Sequence, residues 1–366
     1  MRAYTPTGSL TSDAESPPSG RRAMVVCDQW LGSTGFSGLN ALRRKGWDVH
    51  VIPEWEFVPV HWNSRTLRIV GRVLRPFAER ELARELVSDA QHLAPEFLLV
   101  FKGRFIKPGT IRTLRRLGVR CYNFFPDVSF RVHGPHLSQT LREYDWIFTT
   151  KTFGLKDMRD QLGIANASLL MHAFDPDVHH PVSLSERDHQ LFDCDVSFIG
   201  TWSPKKEALL GELLRRRPNL RMRIWGDQWW RVTTHAHTLR SAIAGRAATG
   251  VEYAKAICGS LINIAILSEK RVGASSGDQI TARTFHLPAC GGFVLHERTD
   301  EVRALFREDD EIVCFTAVDE LIAKIDEFLP DERRRRLIAE RGRTVVQERH
   351  SWDERMRVIL AHHARV

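Results

Sequence analysis

At 366 residues, with 43% hydrophobic and 27% charged side chains, the chain has the composition of a soluble globular protein and the length of two ordinary domains. Its six cysteines stand singly with no C-x-x-C pair, which argues against a disulfide framework or a zinc site and fits a reducing cytoplasm, and no apolar run reaches the ~18 residues that span a bilayer. The net charge of +8 is uneven: residues 1–180 carry 24 Lys and Arg against 18 Asp and Glu, residues 181–366 carry 29 against 27, and neither half holds a recognised nucleic-acid motif.

The chain opens on MRAYTPTGSLTSDAESPPSG, rich in Ser, Thr, Pro and Gly and without an apolar h-region. It is expected to be a disordered leader over residues 1–22 rather than a signal peptide. The run AMVVCD then predicts a strand ending at Asp28. A Gly/Ser loop from Gly32 to Gly38, the helical LNALRRKG and the strand WDVHVIP follow within about thirty residues, the pattern of a parallel βαβ unit.

The next segment, Trp62 to Val87, places Leu67, Val70, Leu74 and Phe77 at helical spacing with Arg65, Arg68, Arg72 and Arg75 around them. A basic amphipathic helix of this kind suits the anionic inner face of a membrane, and it equally suits an ordinary helix packed on a sheet. The βα rhythm then resumes. EFLLVFKG is a strand, TIRTLRRLG a helix closed by Gly118, and VRCYNFF a strand. YDWIFTT, FGLKDMRDQLG and ASLLMHA read as strand, helix and strand. These elements define an N-terminal α/β domain over residues 23–175. Proline-containing, aperiodic sequence follows and predicts a linker over 176–194.

The alternation restarts over residues 195–348. DVSFIG is a strand, and SPKKEALLGELLRRR is a helix capped by Ser203 with Pro204 at its first position. RMRIWG, SLINIAIL, GGFVLHE and DEIVCF are strands. Helical stretches fall between them, and residues 349–366 form a closing helix able to cross back to the first domain. Two successive βα series of this size predict two facing doubly wound domains, with ligands bound in the cleft at the carboxyl ends of the strands.

Candidate chemistry collects at those strand ends. Gly200 and Thr201 end a strand, and Lys205 and Lys206 sit in the first turn of the next helix, where cations oppose the helix dipole unless an anion binds beside them. Trp225 opens the aromatic run WGDQWW, placed to stack on a nucleobase or to pack the core, and Tyr253 lies on the following helix. In SGDQITARTFHLPACGGFVLHERTDEV, Asp278 offers a carboxylate and Arg283 with Thr284 a helix start suited to a diphosphate. His286 follows, and the Gly291-Gly292 turn permits close backbone approach. On the first domain, Asp28, Asp127 and His133 are the candidate bases for deprotonating an acceptor hydroxyl.

The run R-T-F-x-x-P-A-C-G-G-F, with E-R-T-D-E-V and E-I-V-x-F after it, resembles the C-terminal domain of the CgeB-like glycosyltransferases. That family is similar to the wider GT-B group that carries an E-x7-E signature. The resemblance covers roughly residues 120–360 and is supported upstream by DVSFIGTWSPKKEALL. It implies a nucleotide-diphosphate-sugar donor such as a UDP-sugar, no cofactor and no obligatory metal. It also implies an acceptor that is a polysaccharide, glycolipid or protein. Asp278 and His286 stand where the two glutamates would be, the first on the sugar and the second on the ribose. A neutral imidazole accepts one hydrogen bond where a carboxylate accepts more. Two other readings stay open: a catalytically inactive nucleotide-sugar-binding protein or partner subunit, and a GT-B epimerase acting on the nucleotide sugar itself.

Overall fold

The computed structural model describes residues 20–57, 65–134 and 136–366, with side chains from Val73 onward in the helix that begins at Arg65. Most of the expected leader therefore lies outside the described residues. So do the opening of the Trp62–Val87 segment and the side chains of Arg65, Leu67, Arg68, Val70 and Arg72.

Eleven strands among the described residues form two sheets. The first contains β1 (Arg22–Val26), β2 (Asp48–Ile52), β3 (Phe97–Phe101), β4 (Arg120–Phe125), β5 (Trp146–Thr149) and β6 (Ala167–Leu169), in the order β2-β1-β3-β4-β5-β6. The second contains β7 (Cys194–Ile199), β8 (Met222–Trp225), β9 (Ser260–Ala265), β10 (Val294–Glu297) and β11 (Val313–Phe315), in the order β11-β10-β9-β7-β8. Each neighbouring pair is parallel; Val26, for example, sits in register with Ile52 on one side and Val100 on the other.

Strands of this kind are apolar on both faces because helices cover both. Along β1, Met24 and Val26 face one core cluster while Ala23 and Val25 face another. β3 divides the same way, with Leu98 and Val100 on the first side and Phe97, Leu99 and Phe101 on the second. The second sheet repeats the arrangement with Val196 and Phe198 opposed to Cys194 and Ile199. The continuous apolar runs of the sequence are thus buried parallel strands.

The chain crosses between the sheets twice, and the two crossings run side by side. Phe174 N–H donates to the His350 carbonyl (3.0 Å), and Trp352 N–H donates to the Phe174 carbonyl (2.9 Å). The closing helix, Trp352–His363, then packs under the first sheet. Trp352 meets Phe101 and Phe124 at 5.8 and 5.2 Å between centroids, with Met356 and Ile359 buried beside it. Arg355 ties the crossing together by donating to the carbonyls of Met171, His172 and Arg349.

The expected linker segment contains a helix. Residues Glu186–Phe192 form a helix whose N-cap, Ser185, accepts from Asp188 N–H while the Asp188 carboxylate accepts from Ser185 N–H. This reciprocal cap is an S-x-x-D signal that was present in the sequence. Cys194, taken as the last linker residue, is the first residue of β7.

Candidate functional site

Both sheets change direction at a switch point, between β1 and β3 in the first and between β7 and β9 in the second. Loops leaving the carboxyl ends of such neighbouring strands part and open a crevice. Here the two crevices face each other across one cleft of ≈ 1440 Å³. It is lined from the first domain by Trp30, Lys102, Asp127, His133 and Lys151, and from the second by Gly200, Trp230, Asp278, Arg283 and His286, among others.

The second-domain wall is built by close backbone approach. Gly226 lies at φ +146°, and a Cβ there would fall 2.0 Å from the Gly200 carbonyl oxygen, so the loops after β7 and β8 touch only because it is glycine. Arg283 fills the space behind Gly200. Its Nη1 donates to the Ile199 carbonyl at 3.3 Å and its Nη2 to the Ile266 carbonyl at 2.6 Å, the ends of β7 and β9. Its Nε is buried without a partner, and the guanidinium rests 5.4 Å from the Phe198 ring centroid. No carboxylate pairs with it among the described residues, and burial lowers its pKa from the ordinary arginine value. A half-buried cation held by two carbonyls and an aromatic face, and facing a cleft, is chemically suited to receive an anion.

Lys206 lies on the same Phe198 ring, 5.9 Å from its centroid, and donates to the Thr201 carbonyl at 3.0 Å. Burial, then the Arg283 charge, push its pKa down to about 7. Lys205 behaves differently. Its ammonium meets the Glu297 carboxylate at 2.5 and 2.7 Å, and neither lysine belongs to the cleft lining: Lys206 lies behind it, beneath Thr201. The unfavourable first-turn charge is compensated within the protein, so Lys205 needs no bound anion.

Asp278 is not free to meet a ligand unaided. Its carboxylate forms a buried ion pair at 2.5 Å with Lys151, which comes from the first domain just after β5. The pair crosses the cleft, 127 residues apart in sequence. Further contacts support it: Ser129 donates to the Val272 carbonyl, Gln161 to the Gly273 carbonyl, and Ser275 N–H to Asp157.

His286 faces the cleft as a neutral ring. Its Nε2 lies 3.0 Å from the Ala173 carbonyl and therefore carries the hydrogen, which leaves Nδ1 as its acceptor. Desolvation by burial lowers its pKa to about 4. It stacks on His179 at 3.7 Å and meets Tyr253 edge-on at 5.8 Å. His172, also in the lining, is buried with Nδ1 unpaired, and its pKa falls well below the usual value through burial and then Lys151.

Across from these, the Asp127 carboxylate lies 2.6 Å from Lys102 Nζ and 3.0 Å from His133 Nε2. Although burial raises its pKa, those two partners outweigh it and hold the carboxylate well below its usual range.

Several expected site residues stand elsewhere. Trp225 is 2% exposed and packs against Phe192 in the core; the aromatics of the run that reach the cleft are Trp229, largely buried, and Trp230, 81% exposed. Thr284 is buried inside its helix, its hydroxyl accepting from Thr281 N–H and lying 2.9 Å from His296 Nε2. Gly291 closes the same helix in the left-handed region at φ +77° and lies against Pro181, away from the cleft. Asp28 follows β1 on an exposed loop outside the lining. Lys151, Lys102, His172 and His179 are among the cleft residues that sequence reasoning missed, and within the aromatic run it singled out Trp225 where Trp230 is the exposed ring. Among the described residues no group of three or more His, Cys, Asp and Glu is arranged to hold a metal ion.

Residues 205–361 match the model of a family described as glycosyl transferase-like. No curated protein matches the chain by sequence. Among solved structures, the chain is similar to sucrose-phosphate synthase from Thermosynechococcus elongatus, with a TM-score of 0.64 at 11% identity over 94% of this chain and 98% of that one. A glycosyltransferase from Rickettsia africae gives a TM-score of 0.63 at 12% identity, over 94% and 97%. Anabaena HepE in complex with UDP-glucose gives 0.60 at 11% identity, over 93% and 99%. At such identities the likeness establishes the fold: two facing Rossmann-like domains of the GT-B architecture.

Proposed function

We propose that this GT-B protein is a glycosyltransferase that moves a sugar, a hexose in the first instance, from a nucleotide-diphosphate sugar to an acceptor hydroxyl without a resident metal. The observation that carries the reading is Arg283: a half-buried guanidinium, unpaired by any carboxylate among the described residues, facing the cleft at the carboxyl ends of β7 and β9. A diphosphate leaving there takes the electron pair of the broken sugar–oxygen bond, and the guanidinium stabilises the negative charge that develops on it. Lys206, on the same ring, adds a second cation. Asp278 and the Nδ1 acceptor of His286 take the sugar and ribose hydroxyls, and the acceptor enters from the first domain, where Asp127 and His133 stand. The acceptor is a polysaccharide, a glycolipid or a protein.

Trp230 takes the base-stacking role in this scheme. Trp230→Ala is expected to weaken nucleotide binding by about 1 kcal/mol, roughly fivefold, the scale of one aromatic stacking contact. Isothermal titration checks it, and an unchanged affinity removes Trp230 from the nucleotide site.

A second reading, binding without turnover, draws support from the Lys151–Asp278 pair, which occupies the carboxylate expected to meet the sugar. One experiment separates the two. UDP, GDP, ADP, dTDP and CMP are each tested by thermal shift, UDP first because the Anabaena structure holds UDP-glucose. A ligand at ~100 times its dissociation constant adds ~2.7 kcal/mol of stability. A shift with one nucleoside diphosphate, followed by slow hydrolysis of the matching nucleotide sugar, is the expected result. A shift without hydrolysis or transfer supports the binding protein, and conversion of the sugar without an acceptor, seen by chromatography, supports an epimerase. No shift with any nucleotide overturns the proposal.

A further inference from the structure

The loop after β3 carries more positive charge than its surroundings neutralise. Lys102 is matched by Asp127. Arg104, two residues on, has no carboxylate or hydrogen-bond partner for its guanidinium among the described residues, and its Nε is buried and unpaired. The guanidinium lies 5.2 Å from the Phe105 ring centroid. Arg75, from the helix Arg65–Leu93, lies 5.1 Å from the same ring, and its Nη2 is buried and unpaired as well. Two guanidiniums therefore share one aromatic ring, each with an unsatisfied donor.

The nearby acids do not resolve this. Glu79 accepts from Arg75 Nε at 2.7 Å and pairs with Lys107 Nζ at 3.0 Å, with His136 at 3.9 Å, so one carboxylate serves two full cations and a histidine. Glu54 accepts from Phe105 N–H at 2.5 Å and fixes the loop, and burial first of all raises its pKa to about 7. Buried unpaired donors beside like charges are costly in a folded protein, and a bound anion relieves both costs. The cluster adjoins the acceptor side of the cleft. Arg104 acts electrostatically on Asp127, and a Cβ on Gly134, next to His133, would lie 3.3 Å from Arg75 Nη2.

We infer that Arg75, Arg104 and Lys107 form a phosphate-binding subsite beside the acceptor half of the cleft, so that the acceptor carries a phosphate close to the hydroxyl that is glycosylated. The assignment of this phosphate to the acceptor rests on the transferase reading; the anion site itself does not. A phosphorylated sugar and a phospholipid headgroup both supply the chemistry. Val73 and Phe77, 65% and 63% exposed on the helix that carries Arg75, lie at hand for the lipid case.

The test uses the full chain and three probes: glycerol phosphate by isothermal titration, and sedimentation with phosphatidylglycerol and with phosphatidylcholine vesicles. Glycerol phosphate is expected to bind the wild type and Arg283→Met alike. Arg104→Gln should lose at least tenfold in affinity, and Arg104→Lys should regain part of it. Nucleoside diphosphate should show the reverse, weakened in Arg283→Met and unchanged in Arg104→Gln, so failure of this subsite and failure of the donor site are distinguishable. Sedimentation with phosphatidylglycerol but not phosphatidylcholine, lost in Arg104→Gln, assigns the phosphate to a lipid. Glycerol phosphate binding without vesicle binding assigns it to a soluble phosphoester. Absence of binding by every probe, or binding indifferent to Arg104→Gln, overturns the subsite.

Discussion

Replacing Arg283 by methionine is expected to weaken nucleoside-diphosphate binding by about 1.5–3 kcal/mol, roughly 10- to 150-fold, without destabilising the empty protein. The two halves of this expectation have one cause. In the empty cleft the guanidinium has left water for two strand-end carbonyls and an aromatic face, and its Nε has no partner. A half-buried cation so arranged contributes little to stability, and an apolar side chain of similar length is often neutral or stabilising there. The lost donors leave the Ile199 and Ile266 carbonyls to other partners, which sets a small opposing cost. A diphosphate changes the balance, since it meets a desolvated, prepositioned fork.

Calorimetry with UDP and a melting curve of the empty variant check both halves together. A folded Arg283→Met protein with wild-type affinity would end the assignment. Lys206 adds a pH signature to the same experiment. Its pKa is lowered to about 7, so the free protein carries that charge below pH 7 and loses it as pH rises through 7. Nucleotide affinity should fall over the same interval, and the fall should disappear in Lys206→Met.

How much of this site was legible in the sequence depends on the range of the interaction. The strands were legible because a parallel strand buried on both faces is an apolar run, as in EFLLVF and SLINIAIL. Their ends were legible too, and with them the neighbourhood of Gly200, Asp127, Asp278 and Arg283. The partners were not. Lys151 stands alone in TTKTFG, and nothing local marks it as the counter-ion of Asp278 across the cleft. Lys205 looked uncompensated because Glu297 lies 92 residues away at the end of β10, two strands across the sheet from β7. The aromatic run misled for a more local reason. Trp225 is still within β8 and its side chain enters the core. The chain then turns through Gly226 and Gln228, the latter at φ +63°, before Trp230 emerges at the cleft. Periodicity alone does not show where the strand stops, and one residue past its end decides which side of the protein an aromatic faces.

His133→Asn is expected to lower the transfer rate 10²- to 10⁴-fold, the contribution of one positioned general base, while nucleotide affinity stays at the wild-type level. Of the two acidic candidates left for this role, Asp28 is outside the cleft lining, and Asp127 is a weak proton acceptor because Lys102 and His133 stabilise its charged form. A carboxylate that stays ionised at neutral pH is suited to holding a histidine. With Nε2 of His133 3.0 Å from Asp127, that nitrogen carries the hydrogen and the Nδ1 position is left to accept a proton from an acceptor hydroxyl. The arrangement is the base-and-orienter half of a catalytic triad, with the acceptor as the nucleophile. Asp127→Asn should therefore also slow transfer, by less than the loss of His133, because the ring remains in the cleft but its tautomer and its developing charge are no longer supported. The order of the two effects discriminates the roles. A larger loss in Asp127→Asn would make the carboxylate itself the base. Wild-type rates in both variants would mean that no first-domain base is needed, the expectation for transfer with retention of configuration, and product stereochemistry by proton NMR would then have to show a retained anomeric centre.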